Sequence, residues 1–100
     1  MELGLRGKSV VVTGGGSNIG RAIVHAFAAE GSNITIAELA PSQGEKVAAE
    51  VAATGSASRV KVIAADVSDH HQVENMVEQT IAEFGSIDVF VNNVGWTVDR

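Results

Sequence analysis

Four short apolar runs alternate with three longer segments whose apolar residues recur at helical spacing. Ser9 to Thr13, Asn33 to Leu39, Arg59 to Ala65 and Ile87 to Asn92 read as strands, because β-branched residues cluster there in runs of strand length. The first helical segment spans Ile19 to Glu30, places Ile19, Ile23 and Phe27 on one stripe, and stops at Gly31. The second opens with a capping box, Ser42-x-x-Glu45, and runs to Ala53 with Val47 and Val51 inward. The third covers Asp69 to Phe84, with Val73, Met76, Val77, Ile81 and Phe84 at helical spacing and Gly85 as its stop. Strand-helix alternation with short connections predicts an α/β fold, a doubly wound parallel sheet with helices on both faces. Right-handed crossovers then order the strands 3-2-1-4 and open a crevice at the carboxyl ends of strands one and four.

In that arrangement two helices cover one face and one covers the other, while strand four keeps an unpaired outer edge carrying Val89, Phe90 and Val91. Such an edge invites aggregation. The expectation is therefore that residues 1–100 form the N-terminal part of a single domain in a longer chain, whose later strands and helices complete the sheet.

Chemistry concentrates at the strand ends. Val10 to Ile23 reads V-V-V-T-G-G-G-S-N-I-G-R-A-I, a buried strand, a glycine-rich turn and a helix start in succession. Backbone N–H groups of such a helix start converge on a spot carrying roughly half a positive charge, where an anion binds without a basic side chain. The general G-x-G-x-x-G fingerprint does not fit, because starting from Gly14 and Gly16 its third glycine falls on Ile19. By itself the cluster also suits an ordinary strand-to-helix turn. Strand two ends at Glu38, about 20 residues beyond the turn, where a dinucleotide fold places its ribose-binding acid; a solvated strand-end acid is the plainer alternative. Strand three runs into Asp66-Val67, although Asp66 or Ser68 also suits the start of the following helix. Strand four ends in Asn92-Asn93-Val94-Gly95.

What does fit is T-G-x-x-x-G-x-G, with Thr13, Gly14 and Gly20 in place and Asn18 at the middle glycine. With Glu38, Asp66-Val67 and the N-N-V-G run in the same order along nearly the whole chain, the sequence resembles the short-chain dehydrogenase/reductase family. The resemblance implies a Rossmann fold and a nicotinamide cofactor held by Gly14, Ser17, Asn18, Ile19, Gly20, Glu38, Leu39, Asp66, Val67, Asn93, Val94 and Gly95. Asparagine enters left-handed backbone more readily than most residues with a Cβ, so the turn is expected to survive Asn18, whose side chain would crowd or bond near the pyrophosphate.

In the family pattern Asp66 takes the adenine amino group and Val67 closes the pocket through its backbone. Asn92 is structural there, while Asn93 and the backbone through Gly95 line the nicotinamide-side ribose. Asp88 also fits the pattern, with no role in the chemistry. Glu38 would accept hydrogen bonds from the adenosine ribose, worth about 1.5–3 kcal/mol for a charged acceptor. A 2′-phosphate there would meet repulsion of roughly 4 kcal/mol at 4 Å and an effective dielectric of 20. Family members that prefer NADP carry a basic residue where this chain has Ser17 or Leu39, so the expected cofactor is NAD.

The same resemblance implies hydride transfer between NAD and a secondary alcohol or ketone, with a tyrosine as acid/base, a lysine that lowers its pKa and a serine that orients the substrate. The sequence has no tyrosine, and Lys8, Lys46 and Lys61 belong to the cofactor-binding elements. No catalytic residue is therefore assigned within residues 1–100. Alternatives are a 3-oxoacyl-thioester reductase of the same family, disfavoured by Glu38 because such enzymes favour NADP, and a non-catalytic nucleotide-binding member. A nucleotide-sugar epimerase is a third, but Ser17 occupies the second glycine of its usual spacing.

Composition narrows the partners. Seven Lys plus Arg against twelve Asp plus Glu give a net charge of −5, and no basic run offers a nucleic acid or an anionic membrane a landing site. The chain contains no cysteine, which excludes a disulfide framework, a thiolate metal site and a cysteine nucleophile within it. Met1 to Lys8 is too polar for a signal peptide and no spanning run follows, so the expected compartment is the cytoplasm. His25, His70 and His71 read as surface residues rather than metal ligands. Trp96 reads either as core packing or as a wall of the substrate cleft. Homo-oligomerisation, as tetramer or dimer, is implied by resemblance alone.

Overall fold

The computed structural model describes residues 4–93. Its elements follow in the order β1 (Ser9–Thr13), α1 (Asn18–Ala29), β2 (Asn33–Glu38), α2 (Pro41–Ala53), β3 (Val60–Ala64), α3 (His70–Phe84) and β4 (Val89–Val91). The strands form one parallel sheet in the expected order, β3-β2-β1-β4. Ser9 to Thr13 lie opposite Asn33 to Ala37, and Ile34 to Glu38 opposite Val60 to Ala64. β4 pairs only through Val89 to Val91, opposite Val10 to Val12.

The two-residue period of the strands sorts the core into two layers. Val10, Val12, Ile34 and Ile36 pack on one face with Val24 and Ala28 of α1 and Val47 and Val51 of α2. Val11, Ala37, Ile63 and Ala65 pack on the other with Met76 of α3. Burying each large aliphatic side chain contributes about 1.5–3 kcal/mol, so β1, buried along its whole length, is the spine of the sheet. One polar pair crosses the α3 face: the buried Thr80 hydroxyl donates to the Met76 carbonyl at 2.8 Å and is hydrogen-bonded to the Thr35 hydroxyl at 3.2 Å.

Several expectations are corrected. β2 stops at Glu38, β3 loses Arg59 and Ala65, and β4 shrinks to three residues. Before β4, the Asp88 carboxylate takes the Ser9 N–H at 2.8 Å, which replaces a ladder bond with a side-chain bond. On α1 the buried line is Gly20, Val24 and Ala28, with Ile23 and Phe27 on its flank and Ile19 68% exposed. The stripe is turned by one residue because α1 starts hard against the glycine loop, where only a glycine fits. Ile81 of α3 is 46% exposed rather than inward.

The capping box at Ser42 and Glu45 does not form. α2 begins two residues earlier than that box requires, at Pro41, after an Ala40 N-cap that makes no side-chain hydrogen bond. Proline presets the helical φ and carries no N–H needing an acceptor, so it starts the helix by itself. α3 starts and stops as expected: Asp69 caps the His71 and Gln72 amides, and Gly85 ends it in the left-handed conformation, φ 86°.

Candidate cofactor site

The chain leaves β1 through Gly14, whose φ of +66° suits glycine and whose N–H bonds the Ala37 carbonyl at 2.9 Å. Ser17 then organises the turn. Its N–H and hydroxyl both donate to the Gly14 carbonyl, at 3.1 and 2.9 Å, and its Oγ accepts the Gly20 N–H at 3.0 Å. Ser17 is thus the N-cap of α1, which leaves Asn18 and Ile19 in the first turn, where backbone N–H groups have no intrahelical acceptor. Asn18 is helical, and among the described residues no non-glycine has a positive φ. The expected left-handed asparagine is therefore not needed, because Gly14 makes the turn instead.

Thr13 and Asn93 join this loop to the end of β4. Thr13 Oγ1 donates to Asn92 Oδ1 at 3.0 Å and accepts the Asn93 N–H at 2.8 Å. Asn93 Nδ2 reaches the Gly14 carbonyl at 3.3 Å and Ser17 Oγ at 3.1 Å. Both asparagines consequently tie strand ends together. The join leaves no room at Gly20: a Cβ there would collide with the Gly14 carbonyl oxygen and lie 2.8 Å from both Asn93 Nδ2 and Gly15 Cα.

At the end of β2, Glu38 is half-buried and its Oε1 accepts the Gly16 N–H at 2.7 Å. Leu39 follows, 72% exposed. Beyond β3, Asp66 Oδ1 accepts the Ser68 hydroxyl at 2.6 Å and the Ser68 N–H at 3.0 Å, and these two bonds hold the Asp66 carboxyl below its ordinary range. The Asp66 N–H donates to Gln72 Oε1 at 2.8 Å. Neither Asp66 nor Ser68 begins α3; they form a tight turn ahead of the true cap, Asp69.

These strand ends enclose a cleft of about 340 Å³ lined by Gly14, Ser17, Ala37, Glu38, Leu39, Ala65, Asp66, Val67 and Asn93, a size within the range of small-molecule sites. Seven of the expected site residues meet there. Gly20 lies buried beneath the loop, and Asn18 and Ile19 sit exposed at the helix start. Val94 and Gly95, like Trp96, lie outside the described residues. Ala37 and Ala65 were not anticipated, nor was the Gly16 amide; small residues at the carboxyl ends of β2 and β3 were the signal for the first two. Among the described lining residues the charged ones are Glu38 and Asp66, so that part of the wall is acidic. A larger hollow of about 480 Å³, lined by Arg6, His25 and the turn from Thr54 to Ala57, lies at the opposite end of the strands. There α1 and α2 present their carbonyl ends, which disfavour an anion.

The histidines have other partners. His25 Nε2 meets Glu50 Oε1 at 2.9 Å, beside Arg21 Nε at 2.7 Å on the same oxygen, and the cluster ties α1 to α2. His70 and His71 are exposed beside Glu74. Among the described residues no group of three or more His, Cys, Asp or Glu could hold a metal ion, and no helix is long and apolar enough to cross a membrane.

A family model described as short chain dehydrogenase matches residues 8–100. The chain belongs to the short-chain dehydrogenase family. It is 40% identical over 89 residues to 2,5-dichloro-2,5-cyclohexadiene-1,4-diol dehydrogenase of Sphingobium indicum, a match covering 89% of this chain and 34% of that protein. It is 42% identical over 86 residues to levodione reductase of Leifsonia aquatica, covering 86% and 32%. A solved structure of NAD+-bound xylitol dehydrogenase superposes with a TM-score of 0.86 at 33% identity, covering 92% of this chain and 35% of that one. The chain thus spans about a third of the length of the curated relatives it matches.

This short-chain dehydrogenase segment suits the family's nicotinamide dinucleotide on its own geometry. Gly14, Gly16 and Gly20 let the loop close to contact with Asn93 and α2, Asn18 and Ile19 in the first turn of α1 stay exposed, and the half-buried Glu38 carboxylate lines the same cleft. Bound there, the dinucleotide would supply or accept a hydride, and Gly14, Ser17, Glu38, Asp66 and Asn93 would hold it.

Proposed function

We propose that the intact protein is an NAD-dependent oxidoreductase that transfers a hydride between NAD and a secondary alcohol or ketone, with residues 1–100 supplying the cofactor site and later residues the catalytic group. The observation that carries the reading is the pairing of the glycine loop with the Glu38 carboxylate across the cleft, with no basic side chain among the described lining residues to receive a 2′-phosphate. In this reading the first-turn amides of α1 hold the pyrophosphate, Glu38 accepts from the adenosine ribose, Asp66 and Val67 meet the adenine, and Asn93, Val94 and Gly95 line the path toward the nicotinamide. Relatives named for cyclic diols and diones favour an alcohol or ketone as substrate.

The test is a screen of cyclic and acyclic secondary alcohols and diols with the intact protein and either dinucleotide, followed by the near-ultraviolet absorbance of reduced nicotinamide. NAD-dependent turnover of an alcohol is expected. Turnover confined to 3-oxoacyl thioesters with NADPH would replace this reading with the acyl-thioester reductase alternative.

A further inference from the structure

The Glu38 carboxylate is engaged within the protein itself. Its Oε1 accepts the Gly16 N–H at 2.7 Å across 22 residues of sequence, a length typical of charge-assisted bonds. The bond runs from the end of β2 to the middle of the glycine loop. Gly16 is also closed in by α2: a Cβ there would collide with Gln43 Cβ and come within 2.9 Å of Glu38 Oε1 and 3.0 Å of the Gln43 carbonyl carbon. The flanks of the loop are fixed by the bonds of Ser17 and Asn93 to the Gly14 carbonyl, so Glu38 secures its middle. A carboxylate offers about four lone-pair sites on two oxygens, which leaves Oε2 for a ligand while Oε1 holds the loop.

We infer that Glu38 is a positioning residue for the glycine loop as well as the acid that selects the dinucleotide, so that one side chain couples cofactor choice to the order of the pyrophosphate cradle. The coupling rests on the NAD reading given above; the latch between Glu38 and Gly16 stands without any ligand. Removing the side chain then does not open the site to NADP. Glu38→Ala relieves repulsion of a 2′-phosphate but frees the Gly16 N–H, and binding of NAD and of NADP both weaken, by about tenfold or more for NAD. Glu38→Gln keeps an oxygen acceptor of the same reach without the charge. It holds the loop more weakly and shifts the NADP-to-NAD preference toward NADP.

The deciding experiment is amide hydrogen exchange, read by NMR in the intact, NAD-free protein, on the parent, Glu38→Ala and Glu38→Gln, with the Val11 amide of β1 as internal reference. The Gly16 amide is expected to exchange about tenfold or more faster in Glu38→Ala, with Glu38→Gln between the two. Unchanged Gly16 exchange in a folded Glu38→Ala protein overturns the latch. Should Glu38→Ala not fold, Glu38→Gln decides: Gly16 must exchange faster there than in the parent, and unchanged exchange overturns the latch. NAD titrations run alongside separate the two ideas. Gly16 protection lost with NAD affinity unchanged keeps the latch but overturns both the ribose reading and the coupling, whereas affinity lost with protection unchanged keeps the ribose reading and overturns the latch.

Discussion

Replacing Gly20 by alanine sets two effects of known size against each other. Gly20 is helical, so alanine there should stabilise α1 by about 1 kcal/mol through backbone entropy. The new Cβ, however, would collide with the Gly14 carbonyl oxygen and sit 2.8 Å from Gly15 Cα; both are backbone atoms that cannot swing aside. Overpacking of this kind costs about 1–3 kcal/mol. Asn93 Nδ2, also 2.8 Å from the added carbon, would have to leave its acceptors on Gly14 and Ser17, at about 1 kcal/mol per bond. The packing terms win, and Gly20→Ala is expected to destabilise the intact protein by about 2–4 kcal/mol and to weaken NAD binding. Urea denaturation and NAD titration measure the two effects. Gly55→Ala is the control: its φ is +76° but no atom lies within 4 Å of the added carbon, so only the left-handed strain of about 1–2 kcal/mol applies and NAD binding should not change. A Gly20→Ala protein as stable as the parent, with the same NAD affinity, would refute the idea that the loop, α1 and Asn93 are packed to contact.

Two further outcomes follow from the same geometry. Thr80→Val removes the buried hydroxyl that bonds Thr35 and should cost about 1–2 kcal/mol in urea denaturation, while Thr80→Val with Thr35→Val should recover part of that loss; strict additivity in this double-mutant cycle would show that the two hydroxyls are not coupled. Acidification should destabilise the fold. Glu50 is held low by His25 and then Arg21, Asp66 by Ser68, and Asp88 by the Ser9 amide, all below ordinary values of 4.5 for Glu and 3.8 for Asp. A depressed carboxyl contributes stability above its unfolded pKa and loses it as pH falls through the lower folded one, so the urea midpoint should drop on going below about pH 4; a midpoint that holds or rises there would contradict these assignments.

The sheet order and the cleft position were legible because right-handed crossovers prune the arrangements open to β-α-β-α-β-α-β, the loop motifs point to 3-2-1-4 among them, and that arrangement fixes which strand ends meet. The helix faces were less legible. A hydrophobic stripe through Ile19, Ile23 and Phe27 looked inward, yet the contact line runs through Gly20, Val24 and Ala28, because close approach to the glycine loop outweighs the size of the apolar side chain. Ser42 and Glu45 had capping-box spacing, but Pro41 pre-empted them. Asn18 looked like a strained stand-in for glycine, whereas the left-handed residue is Gly14 and Asn18 is the first residue of the helix. The Glu38–Gly16 bond could not be read from spacing, since it depends on how far β2 carries its last side chain toward the loop.

The most direct measurement is a pair of equilibrium titrations of the intact protein with NAD and with NADP under the same ionic strength. With Glu38 at the ribose and no basic side chain lining the described cleft, NAD should bind more tightly by about tenfold or more. Equal affinity, or tighter binding of NADP, would contradict the assignment of Glu38 as the acid that selects the cofactor.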